Sequence, residues 1–200
     1  MRPHSTDRSG YDRGVTVVEI LFTLALATTV VSVAIPSTRD AIDELKTATA
    51  ARYVAGRLAE ARVKAVARSA CVGLRFEQAG NDYRYASYAD GNGNGIRSQD
   101  ITLGLDLPLG GKELLQDKFP NVTFGLMNSY PDADNVSGSG TDGVRIGTAR
   151  IATMSPDGTA TAGTLYLHGR RSQFAVRILG TTGRMRVLQY KPASRTWVER

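Results

Sequence analysis

The chain has 200 residues, is 42% hydrophobic and carries a formal net charge of +6. This apolar content excludes a disordered chain and is sufficient for one hydrophobic core of ordinary size. Cys71 is the single cysteine, which excludes an intrachain disulfide and a cysteine-based metal cluster and predicts a small buried apolar residue.

The charges are unevenly distributed along the chain. Residues 90–142 hold eight acidic and three basic residues, a local balance of −5. Residues 170–200 hold eight basic residues and one acidic residue, a balance of +7. A basic segment of this kind suits an anionic partner such as nucleic acid or lipid headgroups, although charge alone does not define a site.

Residues 15–35 form an apolar run in which Glu19 is the only charged side chain, and Pro36 follows it. As a helix this run would be about 30 Å long, the thickness of a bilayer core, so it predicts one transmembrane helix over residues 15–36. A carboxylate in hydrocarbon costs about 3 kcal/mol or more, which makes Glu19 a candidate functional residue. The alternatives are a secretory signal peptide, whose apolar region is usually shorter, and an ordinary anchor with a stray Glu. Three bases before the run and two after it favour a cytoplasmic N-terminus.

The helical pattern resumes after Pro36 and predicts an amphipathic helix over residues 37–70, so that the whole helix runs from Val15 to Ala70. We expect Pro36 to kink the helix rather than end it. One face steps by three and four residues and is expected to pack against a soluble domain. Its members are Ile42, Leu45, Ala48, Arg52, Ala55, Leu58, Arg62 and Ala65.

From residue 71 to residue 200 the period of the apolar pattern changes from that of a helix to that of a strand. Short runs rich in β-branched and aromatic residues alternate with Gly, Asn, Asp and Pro, which predicts antiparallel strands. These runs are CVGLRFE, YRYASYA, NVTFGLM, GVRIG, RIATM, TLYLHG, QFAVRIL and RMRVLQY. The predicted fold class is α+β, with a long N-terminal helix packed on an antiparallel β-sheet or β-sandwich domain.

The stretch from Asp90 to Asp100 begins with the Asp-x-Asn-x-Asn-Gly spacing of a calcium loop. The candidate ligands are Asp90, Asn92, Asn94 and Asp100. The twelfth position, where such a loop carries a bidentate Glu, is Ile101, so a calcium site here would be weak. The alternative is a solvated Gly-Asn turn between strands, with no cofactor.

Arginines cluster near the C-terminus in Gly183-Arg184-Met185-Arg186. Strand alternation places Arg184 and Arg186 on one face, and a turn at residues 180–183 would place Arg177 opposite Arg186. Three guanidiniums on a basic segment would engage DNA phosphates without reading sequence. The alternative is a purely structural hairpin with a solvated arginine face.

Catalytic chemistry has little support in the sequence. His168 is the only histidine after residue 4 and is expected at a strand end, either exposed or satisfied by a local hydrogen bond. The chain has no nucleophile elbow, phosphate loop or metal-binding histidine pair. An anchored enzyme therefore remains a third reading without a residue to support it.

The N-terminal residues resemble the type IV prepilin signature of pilins and pseudopilins. They are a short polar leader ending in Gly14, an apolar segment from Val15, Glu19 within that segment, and Pro36 at its end. The resemblance implies that a prepilin peptidase removes residues 1–14 and that the new N-terminus, Val15, is methylated, although the family usually has Phe there. It also implies that Glu19 pairs with the terminal ammonium of the next subunit when the chain assembles into a filament.

The C-terminal half resembles the GspH/FimT pseudopilins, through SPDGTATAGTLYL at residues 155–167 and FAVRILGTTGRMRVLQY at residues 174–190. The resemblance implies a minor, non-enzymatic subunit near the tip of a type II secretion pseudopilus or a type IV pilus, with other pseudopilins or pilins as partners. It places the chain in the bacterial inner membrane, with its N-terminus cytoplasmic and residues 71–200 periplasmic. Arg184 and Arg186 are similar to the Gly-Arg-x-Arg motif of some FimT-type subunits, so the alternative is a DNA receptor at a pilus tip that acts in DNA uptake.

Overall fold

The structure is a computed structural model that describes residues 14–136 and 140–200, without the side chains of residues 33–37. Residues 1–13 of the predicted leader lie outside the described residues. The described chain is α+β, as predicted. Its elements are α1 (Val17–Arg68), β1 (Val72–Ala79), β2 (Asp82–Ala89), α2 (Ser98–Leu103), β3 (Leu107–Pro108), β4 (Glu113–Leu114), α3 (Leu115–Lys118), β5 (Thr123–Phe124), β6 (Val144–Arg145), β7 (Ile151–Met154), β8 (Gly163–His168), β9 (Gln173–Leu179), β10 (Arg184–Lys191) and β11 (Thr196–Glu199).

The chain divides into two compact units, Met1–Arg39 and Asp40–Arg200. In the first unit the described large apolar side chains are exposed by 50% to 74%. They are Val15, Val17, Val18, Ile20, Leu21, Phe22, Leu24, Leu26, Val30 and Val31. Among the described residues, no helix combines the length and the apolar character needed to cross a membrane. The transmembrane segment over residues 15–36 stays a prediction.

The bounds of α1 agree closely with the predicted helix. The N–H of Glu19 donates to Thr16 Oγ1 at 3.3 Å, so Thr16 caps the helix at its start. The helix continues through Pro36, which therefore does not end it. It stops at Arg68 because Ser69 takes a left-handed conformation, with φ of 50°, and turns the chain towards β1.

The buried face of α1 in the second unit differs from the predicted face. Its fully buried residues are Thr47, Ala50, Ala51, Val54, Leu58, Ala61 and Ala65. Only Leu58 and Ala65 belong to the predicted set, whereas Ile42 and Leu45 are exposed by 46% and 68%. The predicted face was therefore correct in part, since Ala48 and Ala55 also pack against the core, and wrong for Ile42 and Leu45. Alanines bring the helix closer to its neighbours than larger apolar side chains would, and close packing favours that face.

Two antiparallel sheets follow α1. Sheet A has the strand order β3-β2-β1-β7, with β4 also paired to β2. Sheet B has the strand order β11-β10-β9-β8-β5, with β6 also paired to β8. A single core cluster joins Leu58 of α1 to Leu74 and Phe76 of sheet A and to Leu165 and Val176 of sheet B. The predicted packing of the helix on an antiparallel β domain is confirmed.

Asp43 ties α1 to the turn between β8 and β9. Its carboxylate accepts hydrogen bonds from the backbone N–H groups of Arg170, Arg171 and Ser172 at 2.8, 3.0 and 3.1 Å, and from Ser172 Oγ at 2.8 Å. Burial raises the pKa of this carboxyl, but the hydrogen bonds outweigh burial and hold the pKa below its usual value. Gly169 permits the contact, because a Cβ there would lie less than 3.0 Å from Asp43 Oδ1.

Glu113 on β4 ties the same helix to sheet A. Its Oε2 accepts from Tyr53 Oη at 2.6 Å and from Lys118 Nζ at 2.8 Å, and its Oε1 accepts from Arg57 Nη2 at 2.6 Å. Burial raises the pKa of Glu113, and these three donors hold it below its usual value. The contacts of Asp43 and Glu113 hold α1 at two points about 15 Å apart along its axis. Together they fix the rotation of the helix against both sheets.

We expect Asp43→Asn to lower the free energy of unfolding by about 1 to 2 kcal/mol, because an amide has no charge and one fewer acceptor oxygen. Urea unfolding of the full chain in detergent, followed by the fluorescence of Trp197, measures the change. The matched control is Asp40→Asn. Asp40 is exposed and pairs with Arg171 at 2.9 Å, so this substitution should cost less than about 0.5 kcal/mol.

The sign of the pH dependence follows from the lowered pKa of Asp43. The stability that its charge contributes is fully present above the unfolded pKa of about 3.9 and is lost as the pH falls through the lower folded pKa. The difference between wild type and Asp43→Asn should therefore be constant near neutral pH and shrink below about pH 4. A difference that persists unchanged in acid would contradict a stabilising role for the carboxylate charge.

Candidate functional site

The predicted processing site, the bond between Gly14 and Val15, is accessible. Both residues are exposed, Val15 by 66%, and they precede the first helical residue, Val17. A Cβ on Gly14 would contact nothing within 4 Å. Exposed, non-helical backbone of this kind is what proteolysis requires.

Glu19 lies in the first turn of α1 and is exposed. Its backbone N–H is capped by Thr16, and within the described part of the chain its carboxylate has no hydrogen-bond or ion-pair partner. A carboxylate near a helix N-terminus is favoured by the helix dipole, by about 0.3 to 1 kcal/mol at exposed sites. The position of Glu19 in the first turn therefore explains an acidic residue here by local helix stability. It also leaves the carboxylate free for a partner.

The predicted arginine hairpin forms, with the register that the sequence predicted. Arg186 of β10 lies opposite Arg177 of β9, and Arg184 lies opposite Leu179. Arg184 and Arg186 are exposed and Arg177 is half-buried. Alternation along β10 places Arg184 and Arg186 on the same face, as predicted.

Two of the three arginines already have acidic partners. Arg177 pairs with Asp134 at 2.8 Å, and Arg186 lies 3.7 Å from Glu199 of β11. Arg184 has no acidic partner within the described residues. The charge that an anion would meet on this strand pair is therefore concentrated at Arg184, at the end nearest the turn.

The outer face of sheet B, which points away from α1, is covered by residues 126–136, here called the cover segment. Tyr130 stacks on Tyr190 with ring centroids 4.3 Å apart. Trp197 Nε1 donates to the carbonyl oxygen of Pro131 at 3.2 Å, and Tyr166 Oη accepts from the N–H of Ala133 at 3.0 Å. The cover segment carries the Asp134 partner of Arg177, so it removes that arginine from the free basic surface.

The two C-terminal segments that carry the family resemblance contact each other. Ala160, two residues after the turn at residues 155–158, donates its N–H to the carbonyl oxygen of Gly180 in the turn at residues 180–183, at 2.8 Å. Gly183 has φ of 57°, and a Cβ there would lie less than 3.0 Å from the carbonyl oxygen of Gly158. Both turns are therefore needed for one packing arrangement.

The Asp90 loop closes on itself. Asp90 Oδ1 accepts from the N–H groups of Asn92 and Gly93 at 3.1 and 2.7 Å, and Oδ2 accepts from that of Gly95 at 2.8 Å. Asn94 lies exposed in the same loop, while Asp100 is buried on α2 with no hydrogen-bond partner for Oδ2. Within the described residues, no group of three or more His, Cys, Asp and Glu side chains is placed to hold a metal ion. The geometry supports the Gly-Asn turn, and the calcium site gains no support.

His168 lies at the end of β8 and is locally satisfied, as expected. Its Nε2 lies 3.1 Å from Thr123 Oγ1 and its Nδ1 lies 2.9 Å from the carbonyl oxygen of Gly169. It borders two polar clefts that meet at Gln78 and Asn81, with volumes of about 710 and 600 Å³. Within the described chain, the carboxylates that line these clefts are Glu77, Asp82 and Asp142, and each binds protein donors.

The sequence did not predict the long-range contacts of two residues of α1, Asp43 and Arg62. Asp43 contacts a turn 127 to 129 positions away, and Arg62 of α1 reaches both C-terminal turns. No local pattern signals either contact, because each depends on how α1 sits on sheet B. An Asp next to a Glu at the start of a surface helix reads only as a solvated charge pair.

Comparisons of the chain with protein-family models, with curated proteins and with solved structures found no match. The functional interpretation therefore depends on the contacts of this chain alone. The features that bear on it are the exposed apolar surface near the N-terminus, the unpaired Glu19 and the arginine hairpin.

We expect Gly183→Ala to lower the free energy of unfolding by about 2 kcal/mol or more, because it adds left-handed strain to a clash with Gly158. Gly80→Ala is the matched control. Gly80 lies in the turn between β1 and β2 with φ of 64°, but a Cβ there would contact nothing. That control should cost about 1 kcal/mol from strain alone. Equal urea midpoints for the two variants would contradict the turn-to-turn contact.

Proposed function

We propose that this protein is a minor pseudopilin of the GspH/FimT type, anchored in the inner membrane by residues 15–36 and assembled into a pseudopilus or type IV pilus. The β domain then faces the periplasm and contacts other pilin-like subunits. The protein has a structural role and no catalytic one. The observation that carries this proposal is the exposed apolar surface of α1.

The apolar surface is extensive in the first unit. Ten large apolar side chains between Val15 and Val31 are exposed by at least 50%. Burying one such side chain contributes about 1.5 to 3 kcal/mol, so a surface of this size needs lipid or other helices to cover it. In a stored membrane anchor lipid would cover this surface, and after assembly the neighbouring subunit helices would cover it.

The second unit adds an exposed apolar stripe on the same helix. Ile42, Leu45, Val63 and Val66 lie outside the face that packs on the sheets, with exposures of 46% to 68%. Ile42 and Leu45 are three residues apart, as are Val63 and Val66, and the two pairs lie on one side of the helix because the 18 residues between Leu45 and Val63 make five turns. The stripe therefore supports lateral packing of α1 against helices of neighbouring subunits.

Glu19 is the residue that would set axial register in such a filament. Removal of residues 1–14 creates a terminal ammonium on Val15, and a free carboxylate is the partner that a charge in an apolar bundle requires. The absence of a partner for Glu19 in the described part of this single chain is consistent with pairing between subunits. Glu19 is exposed in the first turn of α1, so its carboxylate is accessible to a neighbour.

The first prediction of this proposal concerns the mature N-terminus. When the full chain is produced in membranes that contain a prepilin peptidase, its intact mass and N-terminal sequence should show loss of Met1 to Gly14 and one methyl group on Val15. Gly14→Val should block the cleavage, because the peptidase pocket must admit the residue before the bond. The matched control is Gly10→Val, another leader glycine, which should leave cleavage unchanged.

An uncut chain, in membranes where a control prepilin is processed, would overturn the pseudopilin proposal. So would cleavage that is insensitive to Gly14→Val, since that result is typical of a general signal peptidase acting elsewhere in the apolar run.

A DNA receptor at the pilus tip is the second candidate function. The observation that favours it is the register of the hairpin, which places Arg177, Arg184 and Arg186 on one face. The ion pairs of Arg177 and Arg186 reduce the free charge, so Arg184 would be the principal contact. Binding would be to phosphates and independent of base sequence.

We expect the double substitution Arg184→Ala with Arg186→Ala to weaken binding of the full chain to duplex DNA and to flatten its salt dependence. Each lost phosphate contact lowers the slope of log affinity against log salt by about 0.9. The matched control is Arg170→Ala with Arg195→Ala, which removes the same charge from two exposed turns at the opposite end of sheet B. If both double variants lose the same amount of DNA affinity, the effect reflects net charge and not a site at the hairpin. If neither variant loses affinity, the DNA receptor is excluded.

A further inference from the structure

Arg62 of α1 contacts the two turns that meet at the end of the arginine hairpin. A Cβ on Gly183 would lie 3.2 Å from Arg62 Nε, and a Cβ on Gly158 would lie 3.4 Å from Arg62 Nη2. Gly183 directly precedes Arg184, so the Arg62 guanidinium lies beside the residue next to the first arginine of β10. The side chain is half-buried, and within the described residues it has no hydrogen-bond acceptor or acidic partner.

Arg62 and Arg184 approach the hairpin tip from opposite faces of sheet B. Met185 and Val187 of β10 pack into the core on the side of α1, so Arg184 and Arg186 point to the outer face. Arg62 reaches the same tip from the helix side. Unpaired positive charge therefore lies on both sides of the turn at residues 180–183.

The tip itself presents no obstacle to an anion. Thr181 and Thr182 are exposed and uncharged, and their hydroxyls are potential donors. Asp157 is the acid of the neighbouring turn, but its Oδ1 accepts from the N–H and the hydroxyl of Thr159, at 2.9 and 2.7 Å. These bonds hold its pKa below the usual value, so Asp157 stays charged and opposes an anion beside the tip.

We propose that Arg62 is a phosphate contact of the hairpin, acting with Arg184 on a nucleic-acid backbone that crosses the tip at residues 180–183. The proposal rests on the DNA-receptor function described above. A guanidinium offers several N–H donors in a rigid fork that matches phosphate oxygens, and those of Arg62 and Arg184 are without an acidic partner in the described chain. Phosphate contacts of this kind give affinity and position without sequence preference.

The test is binding of the full chain, in neutral-lipid nanodiscs, to two short duplex DNAs of unrelated sequence over a salt series. We expect Arg62→Gln to weaken binding to both duplexes severalfold and to flatten the salt slope by about 1, and Arg62→Lys to retain most of the affinity. The matched control is Arg52→Gln. Arg52 is an exposed arginine on the same helix, ten residues before Arg62 and without an acidic partner in the described chain. Its loss should leave the slope unchanged.

The outcomes separate the inference from the function on which it rests. If Arg62→Gln binds as wild type while the Arg184 and Arg186 double variant is weakened, the role of Arg62 is overturned and the DNA receptor stands. If neither variant is weakened, the receptor function itself fails. Equal weakening by Arg62→Gln and Arg52→Gln, or a loss by Arg62→Gln of anionic-vesicle binding alone, would also overturn the proposal. Equal urea midpoints for wild type, Arg62→Gln and Arg62→Lys show that these changes do not reflect unfolding.

Discussion

The carboxylate of Asp43 accepts three backbone N–H groups and one hydroxyl from the turn between β8 and β9, and the arrangement of the β domain depends on that contact. It places one end of the amphipathic half of α1 against sheet B. Glu113 places the next turns of the helix against sheet A through Tyr53 and Arg57. With both contacts made, the alanine face of α1 closes the shared core, and Arg62 is carried to the hairpin tip. The position of one helix therefore determines both the packing and the candidate basic surface.

The acidic middle of the chain has a structural explanation of the same kind. Asp106 is buried and accepts from the N–H groups of Gly91 and Arg97, and Asp132 accepts from those of Asp134 and Val136. A carboxylate that satisfies backbone donors lets a loop fold without regular secondary structure. This use of Asp accounts for the calcium-like spacing at Asp90, since the same oxygen-rich, glycine-rich pattern serves a turn whose ligands are amide hydrogens.

The sequence predicted those elements whose patterns extend over several residues. Helix α1 was placed within two residues at each end, and the runs predicted for β1, β2, β8, β9 and β10 overlap the observed strands closely. The short strands β5, β6 and β7 also lie within predicted runs, whereas β3, β4, β11, α2 and α3 were missed, because their two to six residues lie in segments without a recognisable apolar period. The buried face of α1 was predicted correctly at Ala48, Ala55, Leu58 and Ala65 and wrongly at Ile42 and Leu45, which are more apolar than the alanines that pack. Close packing of the helix against the sheets determines which residues are buried, and a local hydrophobic pattern carries no information about that packing.

The contacts of Asp43 and Arg62 show what lies beyond local patterns. By sequence, Asp43 belongs to a charged helix surface and Arg62 to the predicted packing face. The residues that each of them contacts lie more than ninety positions away along the chain. Glycines give the one indirect signal. Gly169 and Gly183 lie where a side chain would collide with Asp43 and with the Gly158 turn, so a glycine in a strand-turn boundary marks a close approach even when its partner is unknown.

The charge of the C-terminal segment shows why composition overstates a binding surface. Of its eight basic residues, Arg171, Arg177, Arg186, Lys191 and Arg200 form ion pairs with Asp40, Asp134, Glu199 and Glu44. Exposed pairs of this kind add little stability, yet each reduces the field available to an anion. Within the described chain, Arg170, Arg184 and Arg195 remain without an acidic partner, and only Arg184 of these lies at the hairpin tip. A phosphate backbone at that tip would therefore meet one free arginine from sheet B, and Arg62 of α1 is a second arginine beside the same turn.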